Sequence, residues 1–77
     1  MADIQFDIVK HFGELSADKS GWKKELNMVS WNGRKPKLDL REWAPGHEKA
    51  GKGLTLGPEE ASKLAELLAA ALAEPEK

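Results

Sequence analysis

Short alternating segments joined by short loops constrain the fold of this chain more than any other feature of its sequence. The clearest segment is 37–43, KLDLREW, in which Leu38 and Leu40 alternate with polar residues in the period-two pattern of a half-buried strand. Parallel pairing of strands needs a connection of a dozen or more residues, and the loops between these segments are shorter. The sequence therefore predicts an antiparallel meander.

The same pattern predicts four strands and one helix in a single domain that spans residues 1–77. The strands are expected at about 4–16, 22–31, 37–43 and 52–56, and the helix at about 58–73. Asn32-Gly33 is the strongest hairpin signal, because both residues tolerate the positive φ of a tight turn. The alternation slips around Gly13, which predicts a bulge or bend there. The fold class is α+β, a four-stranded antiparallel sheet followed by a C-terminal helix.

The predicted helix begins at Gly57-Pro58, with proline at the first helical position, where its missing N–H costs nothing. Its apolar residues recur at spacings of three and four and form one stripe: Ala61, Leu64, Ala65, Leu68, Ala71 and Leu72. This stripe is wider than one small sheet needs. A chain below about 70 to 80 residues seldom gains more than ~3 to 5 kcal/mol from one core without a metal, a disulfide or a partner chain. We therefore expect a homodimer joined through this helix.

The composition excludes several classes of protein. With 40% hydrophobic and 32% charged residues, the chain is typical of a soluble globular domain. The absence of cysteine excludes a disulfide framework, a thiol nucleophile and a cysteine-based zinc site. No apolar run approaches the roughly 18 residues that cross a bilayer. We expect a cytoplasmic protein, associated with the nucleoid if bacterial, that does not bind membranes.

Signatures of enzymes are missing from the sequence. It contains no recognisable serine, histidine and aspartate constellation, no GxxxxGK[ST] phosphate loop and no GxGxxG at a helix start. Gly51-Lys52-Gly53 brings a lysine close to bare backbone, but this motif alone is not specific. His11 and His47 lie far apart without a carboxylate at metal-site spacing, so surface or loop positions are expected for both. The sequence predicts no catalytic residue, metal site, cofactor or small-molecule substrate.

Charge is distributed unevenly along the chain. Residues 19–52 contain nine cations and four carboxylates, a net charge of +5, whereas residues 1–18 and 53–77 each carry −3. All three tryptophans lie in this basic block, interleaved with its cations. Single-stranded nucleic acid requires such a surface, because its phosphates need spaced positive charge and each base stacked on an aromatic ring contributes about 1 to 3 kcal/mol.

The tryptophans and the basic hairpin each admit a structural interpretation as well. Trp22 and Trp31, each taken alone, are more typical of core residues, since most tryptophans are substantially buried. Trp43 shares its parity with Arg41 and opposes the leucines, so we expect its ring to be exposed on the polar face. The cations from Arg34 to Lys37 also fit a solvated hairpin tip that blunts aggregation.

The order of these motifs resembles the family of the transcriptional coactivator positive cofactor four. That family carries I-D-I-R-E-x-W, a loop, K-G-I-S-L and a helix, and this chain carries LDLREW at 38–43, a Pro/Gly loop, GKGLTL at 51–56 and the proline-opened helix. The resemblance to the compact bacterial YdbC-type members extends back through GWKKELN at 21–27 and VSWN at 29–32. It covers roughly residues 22–73.

The resemblance implies a homodimer in which each subunit contributes a curved four-stranded sheet, which binds nucleic acid, and a helix that joins the subunits. It also implies backbone contacts by Arg41 and Lys52, base stacking by Trp43, and basic contacts by Lys35 and Lys37. Together with the residue pattern, the predicted nucleic-acid-binding set is Trp22, Lys23, Lys24, Trp31, Lys35, Lys37, Arg41, Trp43, Lys52 and Gly53.

We therefore expect a non-enzymatic, homodimeric single-stranded DNA-binding protein with little sequence preference, an accessory factor of transcription or DNA metabolism. Two alternatives stay open from the sequence. The dimer could offer exposed strand edges or aromatic residues to a protein of the transcription machinery. Single-stranded RNA is an alternative ligand, because stacking surfaces accept either sugar.

Overall fold

A computed structural model describes residues 5–74, which form four strands followed by one helix. The elements are β1 (Phe6–Ala17), β2 (Lys23–Trp31), β3 (Lys37–Trp43), β4 (Ala50–Leu56) and α1 (Pro58–Ala73), with a 3-10 turn at Pro45–His47 between β3 and β4. The strands pair in the order β1-β2-β3-β4, each antiparallel to its neighbour. The predicted α+β meander with a C-terminal helix is confirmed. The predicted start of the first strand at residue 4 lies outside the described residues.

The hairpin between β2 and β3 has the predicted turn. Asn32 and Gly33 have φ values of 52° and 74°, the left-handed region that this dipeptide tolerates. The backbone N–H of Arg34 donates to the carbonyl oxygen of Trp31 at 3.0 Å and closes the turn. A three-residue extension then leads into β3 at Lys37.

Edge strand β1 is irregular at three points. Its register against β2 shifts three times, and each shift skips one apolar residue: Val9, Phe12 and Leu15. The predicted bulge near Gly13 is the middle of these three shifts. Bulges bend a strand and increase its twist, so β1 bends repeatedly along its length. The three skipped residues are largely exposed.

The two faces of the sheet differ in composition and in burial. The leucine face carries Leu26, Met28, Leu38, Leu40, Leu54 and Leu56. The polar face carries, on β2 and β3, Glu25, Asn27, Val29, Asp39, Arg41 and Trp43. The most buried side chains in residues 5–74 lie on the polar face, whereas the leucines are half-buried or exposed. This distribution reverses the expectation from the sequence, in which the leucines oppose an exposed polar face.

Helix α1 covers part of the leucine face. Its first turn is fixed by Glu60, whose carboxylate accepts the backbone N–H of Gly57 at 3.1 Å. Ala61, Leu64 and Leu68 of the predicted stripe face β3 and β4 across an apolar hollow. Near the end of the helix, Leu72 is 84% exposed. The C-terminal half of the stripe therefore has little to pack against within one chain.

No helix within residues 5–74 has both the length and the apolar character that crossing a membrane requires.

The close approach of β3 and β4 at Gly53 predicts a strict requirement for glycine. Gly53 pairs with Arg41, and a Cβ added at Gly53 would overlap the Cβ of Arg41 and the carbonyl oxygen of Leu40. Because backbone atoms cannot move aside cheaply, we expect Gly53→Ala to lower the free energy of unfolding by roughly 1 to 3 kcal/mol or more. Urea denaturation followed by circular dichroism measures this change.

Gly13→Ala is the matched control within β1. A Cβ at Gly13 would have no neighbour within 4 Å, and the residue does not have a positive φ. The expected change in unfolding free energy is within about 0.5 kcal/mol. Equal losses in the two variants would contradict the packing described for β3 and β4.

Candidate nucleic-acid interface

An aromatic cluster of Phe6, Trp31, Trp43 and His47 lies on the polar face. The indole rings of Trp31 and Trp43 are parallel within 7°, with their centroids 6.1 Å apart. The Phe6 ring lies 4.8 Å from the Trp43 ring and 5.9 Å from the Trp31 ring, centroid to centroid. His47, from the 3-10 turn, meets the Trp43 ring edge-on at 5.4 Å. Three strands and one loop thus contribute to the cluster.

The position predicted for Trp43 is right, but its predicted exposure is wrong. Trp43 shares the polar face with Arg41, as its parity requires, yet the residue is 1% exposed. Alternation along β3 determines only the side of the sheet, and residues distant in sequence, Phe6 and His47, pack against the ring. A buried ring offers no face to a base. The half-buried Trp31 is the more accessible indole of the cluster.

Arg41 lies over the Trp31 ring, with its guanidinium carbon 4.6 Å from the ring centroid. Its Nε and Nη2 donate to the two carboxylate oxygens of Asp39 at 2.6 and 2.9 Å, and its Nη1 donates to the Gly51 carbonyl oxygen at 3.0 Å. Asp39 is fully buried and also accepts from the Thr55 hydroxyl at 2.9 Å. Buried charges persist where they are paired and hydrogen-bonded. These contacts therefore fix the orientation of Arg41.

An open hollow of about 420 Å³ borders this stacked pair. Phe6, Trp31 and Arg41 line it together with Lys49 and Gly51 from the beginning of β4 and the loop before it. Its volume lies within the roughly 300 to 1,000 Å³ of ordinary ligand pockets. The hollow combines flat aromatic and guanidinium surfaces with the exposed ammonium group of Lys49 and the exposed carboxylate of Glu48.

A second hollow, of about 460 Å³, adjoins the first at Gly51. Trp22 and Lys52 line it with Glu42. A Cβ at Gly51 would lie 2.8 Å from the Trp22 ring and 3.0 Å from the Glu42 carbonyl oxygen, so a larger residue there would have to displace the Trp22 ring. The structure therefore groups four of the predicted site residues into two hollows that meet at Gly51. Trp31 and Arg41 line the hollow on the polar face, and Trp22 and Lys52 line the other together with Asp18 and with Glu42, which belongs to the side of the leucine face.

The other predicted cations occupy different surroundings. Lys23 forms an ion pair with Glu14 at 3.0 Å. Lys24 pairs in register with Glu42 and so lies on the side of the leucine face. Lys37 belongs to the polar face, and Lys35 is exposed in the hairpin loop. Lys23 and Lys37 therefore both share the face of Arg41, and of these two only Lys37 has no ion pair within residues 5–74.

A buried polar network on the polar face was not predicted from the sequence. Glu25 is 2% exposed and accepts from the Asn27 amide at 3.0 Å. The Nε2 of His47 lies 2.9 and 3.1 Å from its two carboxylate oxygens. The Nδ1 of His11 lies 2.6 Å from the Asn27 side-chain oxygen. The available signal was the alternation along β2, which places Glu25 and Asn27 opposite the leucine face.

This network lowers the pKa of Glu25. Burial acts to raise that pKa, but hydrogen bonds from Asn27 and His47 and the charges of His47 and His11 lower it below its ordinary value of 4.5. The network joins β1, β2 and the 3-10 turn beneath the aromatic cluster.

Within residues 5–74, no three or more histidine, cysteine, aspartate or glutamate side chains are grouped so that they could hold a metal ion.

The fold is an antiparallel sheet with one helix, and its polar face carries an aromatic cluster with an arginine stacked on one of its rings. Residues 19–67 match the family Transcriptional Coactivator p15 (PC4), and the chain belongs to this family. The resemblance seen in the sequence is confirmed, and the family is one of non-enzymatic, DNA-binding, transcription-related proteins. The chain is also 42% identical over 66 residues to an uncharacterized protein of Treponema pallidum (strain Nichols), covering 86% of this chain and 78% of that protein.

The lowered pKa of Glu25 predicts a loss of stability in acid. A carboxylate whose pKa is lower when folded contributes stability that is present above its unfolded pKa and is lost as the pH falls through the folded pKa. We therefore expect the unfolding free energy to decrease as the pH falls below 4.5, and to decrease less steeply in Glu25→Gln. Urea denaturation at a series of pH values measures both slopes.

The control is Glu66→Gln, which changes an exposed carboxylate on α1. This variant should keep the acid dependence of the native protein. If Glu25→Gln also kept it unchanged, the role given to the network would be wrong.

Proposed function

We propose that this chain is a homodimeric, non-enzymatic single-stranded DNA-binding protein with little sequence preference, which serves transcription or DNA metabolism. Membership in a DNA-binding, transcription-related family supports the general class. The observation that carries the proposal is the Arg41 guanidinium stacked over the half-buried Trp31 beside a hollow that Lys49 also lines.

Lysines without a carboxylate partner supply the positive charge that phosphates need. Lys35, Lys37, Lys49 and Lys52 are exposed, and none forms an ion pair within the described part of the chain. They are spread over the hairpin loop, β3, the loop before β4, and β4. Each lysine that neutralises a phosphate releases counterions, so binding should weaken as salt is added.

Flat side chains supply the contacts with bases. Trp31 with Arg41 lines one hollow and Trp22 lines the next. Stacking accepts every base because each base has a π-face, which accounts for little sequence preference. Trp31 takes the stacking role that the family resemblance assigned to Trp43.

Exposed leucines on α1 support the homodimer. Leu67, Leu68 and Leu72 are 59%, 52% and 84% exposed. A contiguous apolar patch of this kind on a small protein marks an interaction surface. A second copy of the chain would bury these leucines and complete the core on the leucine face.

Strand β1 favours a second candidate, a protein-interaction module of the transcription machinery. Val9, Phe12 and Leu15 are 58%, 49% and 59% exposed along this edge strand. Edge strands present unpaired backbone groups with which another chain can pair. A module of this kind would leave tryptophan emission unchanged when an oligothymidine is added.

Titration with oligothymidine tests the proposed ligand class. We expect quenching of tryptophan emission with single-stranded DNA, a weaker response with duplex DNA, and affinity that falls with salt. Trp31→Ala should lower the affinity for oligothymidine by about 1 to 3 kcal/mol, the contribution of one stacked base, while Trp31→Phe should retain most of it. Binding of matched RNA in preference to DNA would replace the DNA assignment, and no binding of either strand would refute the function.

Light scattering after size exclusion tests the homodimer. The native protein should have about twice the monomer mass of 8.5 kDa, and Leu72→Glu should shift it towards the monomer, because a dimer interface would bury the new charge. Ser62→Glu, at an exposed position on the same helix, should not. A native protein with the monomer mass would contradict the proposed assembly.

A further inference from the structure

Arg41 is held by its neighbours and is not free to follow a ligand. A guanidinium has five N–H groups, and in Arg41 two donate to the Asp39 carboxylate and one to the Gly51 carbonyl oxygen. The Arg41 side chain is 16% exposed, and that of Asp39 is fully buried. If Arg41 swung out to a phosphate, it would leave a buried carboxylate without its cation, which is strongly unfavourable.

Asp39 also cancels the charge of Arg41. Both carboxylate oxygens face the guanidinium, and one of them also accepts the Thr55 hydroxyl. The pair adds no net charge to the polar face. Contact with a phosphate there would release few counterions, because Asp39 already neutralises the cation. Lys49 and Lys52 differ from Arg41, since neither has a carboxylate partner within residues 5–74.

The flat surface of the guanidinium is what Arg41 offers to a ligand. It extends the Trp31 ring at a distance of 4.6 Å and borders the hollow of about 420 Å³. Unpaired bases stack on arginine planes as they do on aromatic rings. One N–H on each Nη atom remains for an acceptor on a base.

We infer that Asp39 is a positioning residue that makes Arg41 a contact for bases, and that unpaired lysines such as Lys52 neutralise the phosphates. This inference rests on the proposed function, because it requires that a single strand binds at Trp31 and Arg41 and continues past Gly51 to the hollow that Lys52 lines. It differs from the backbone contact that the family resemblance implies for Arg41. In this inference, the part of the nucleic acid that contacts Arg41 is a nucleobase.

An oligomer without bases separates the two roles. Oligothymidine and an abasic oligomer of the same length carry the same phosphates. We expect the neutral double variant Asp39→Asn/Arg41→Gln to weaken binding of oligothymidine at least about fivefold, the lower end of one stacking contact, and to change binding of the abasic oligomer less than about twofold. Lys52→Gln should weaken both oligomers by similar factors, and Lys63→Gln, on α1, should change neither.

The salt dependence of oligothymidine binding tests the role of Asp39. Lys52→Gln should flatten the log–log slope by about 0.7, the value for one phosphate of a single strand, and the double variant Asp39→Asn/Arg41→Gln, which keeps the site neutral, should leave the slope nearly unchanged. Asp39→Asn frees the charge of Arg41 and should steepen the slope by up to about 0.7. A purely structural role for Asp39 would not steepen it.

A matched double variant guards against misfolding. Arg41→Gln leaves the Asp39 carboxylate uncompensated, whereas Asp39→Asn/Arg41→Gln replaces the ion pair by two neutral amides. The double variant should show the selective loss for oligothymidine with the slope of the native protein, whereas the uncompensated carboxylate in Arg41→Gln should also repel the phosphates of both oligomers. Circular dichroism should show that the double variant is folded.

Two results would overturn the inference while the proposed function stands. One is an equal loss for both oligomers in the double variant, with a slope flattened as in Lys52→Gln, which would make Arg41 a phosphate contact. The other is an unchanged slope in folded Asp39→Asn. If the native protein bound neither oligomer, the proposed function itself would fail, and the inference with it.

Discussion

A buried carboxylate with one cationic partner organises the polar face of this small sheet. Asp39 lies on the inner strand β3 with no exposed surface, and a charge in that position persists where it is paired and fully hydrogen-bonded. Arg41 provides the charge, and Thr55 of β4 provides a further donor. This requirement fixes the guanidinium over Trp31 and so defines the edge of the hollow. An acidic residue thus shapes a surface proposed to bind an anionic polymer.

Burial is distributed unevenly between the two faces of the sheet. The polar face contains the most buried side chains, because Phe6, Trp31 and His47 close over Trp43. The leucine face is covered by one helix, whose last leucines remain exposed. A chain of this size gains little from one core. The proposed second copy would supply the apolar contacts that the leucine face lacks.

Local patterns predicted the fold well because each strand and turn has a local signal. The alternation in 37–43 placed Asp39, Arg41 and Trp43 on one face, and Asn32-Gly33 marked the hairpin. The burial of Trp43 could not be predicted in this way, since it depends on Phe6 and His47, which meet it only in the folded chain. The same limit applies to the network around Glu25, whose partners come from three separate segments.

The central claim is that a single strand of nucleic acid meets the polar face at Trp31 and Arg41. Two-dimensional NMR of the uniformly ¹⁵N-labelled protein during titration with oligothymidine tests it most directly, because each of the three tryptophan indole groups and the arginine Nε–H groups give their own signals. The account predicts a large shift for the Trp31 indole and for the Arg41 Nε–H, with a smaller shift for Trp43. Shifts confined to Trp22, or none at all, would contradict it.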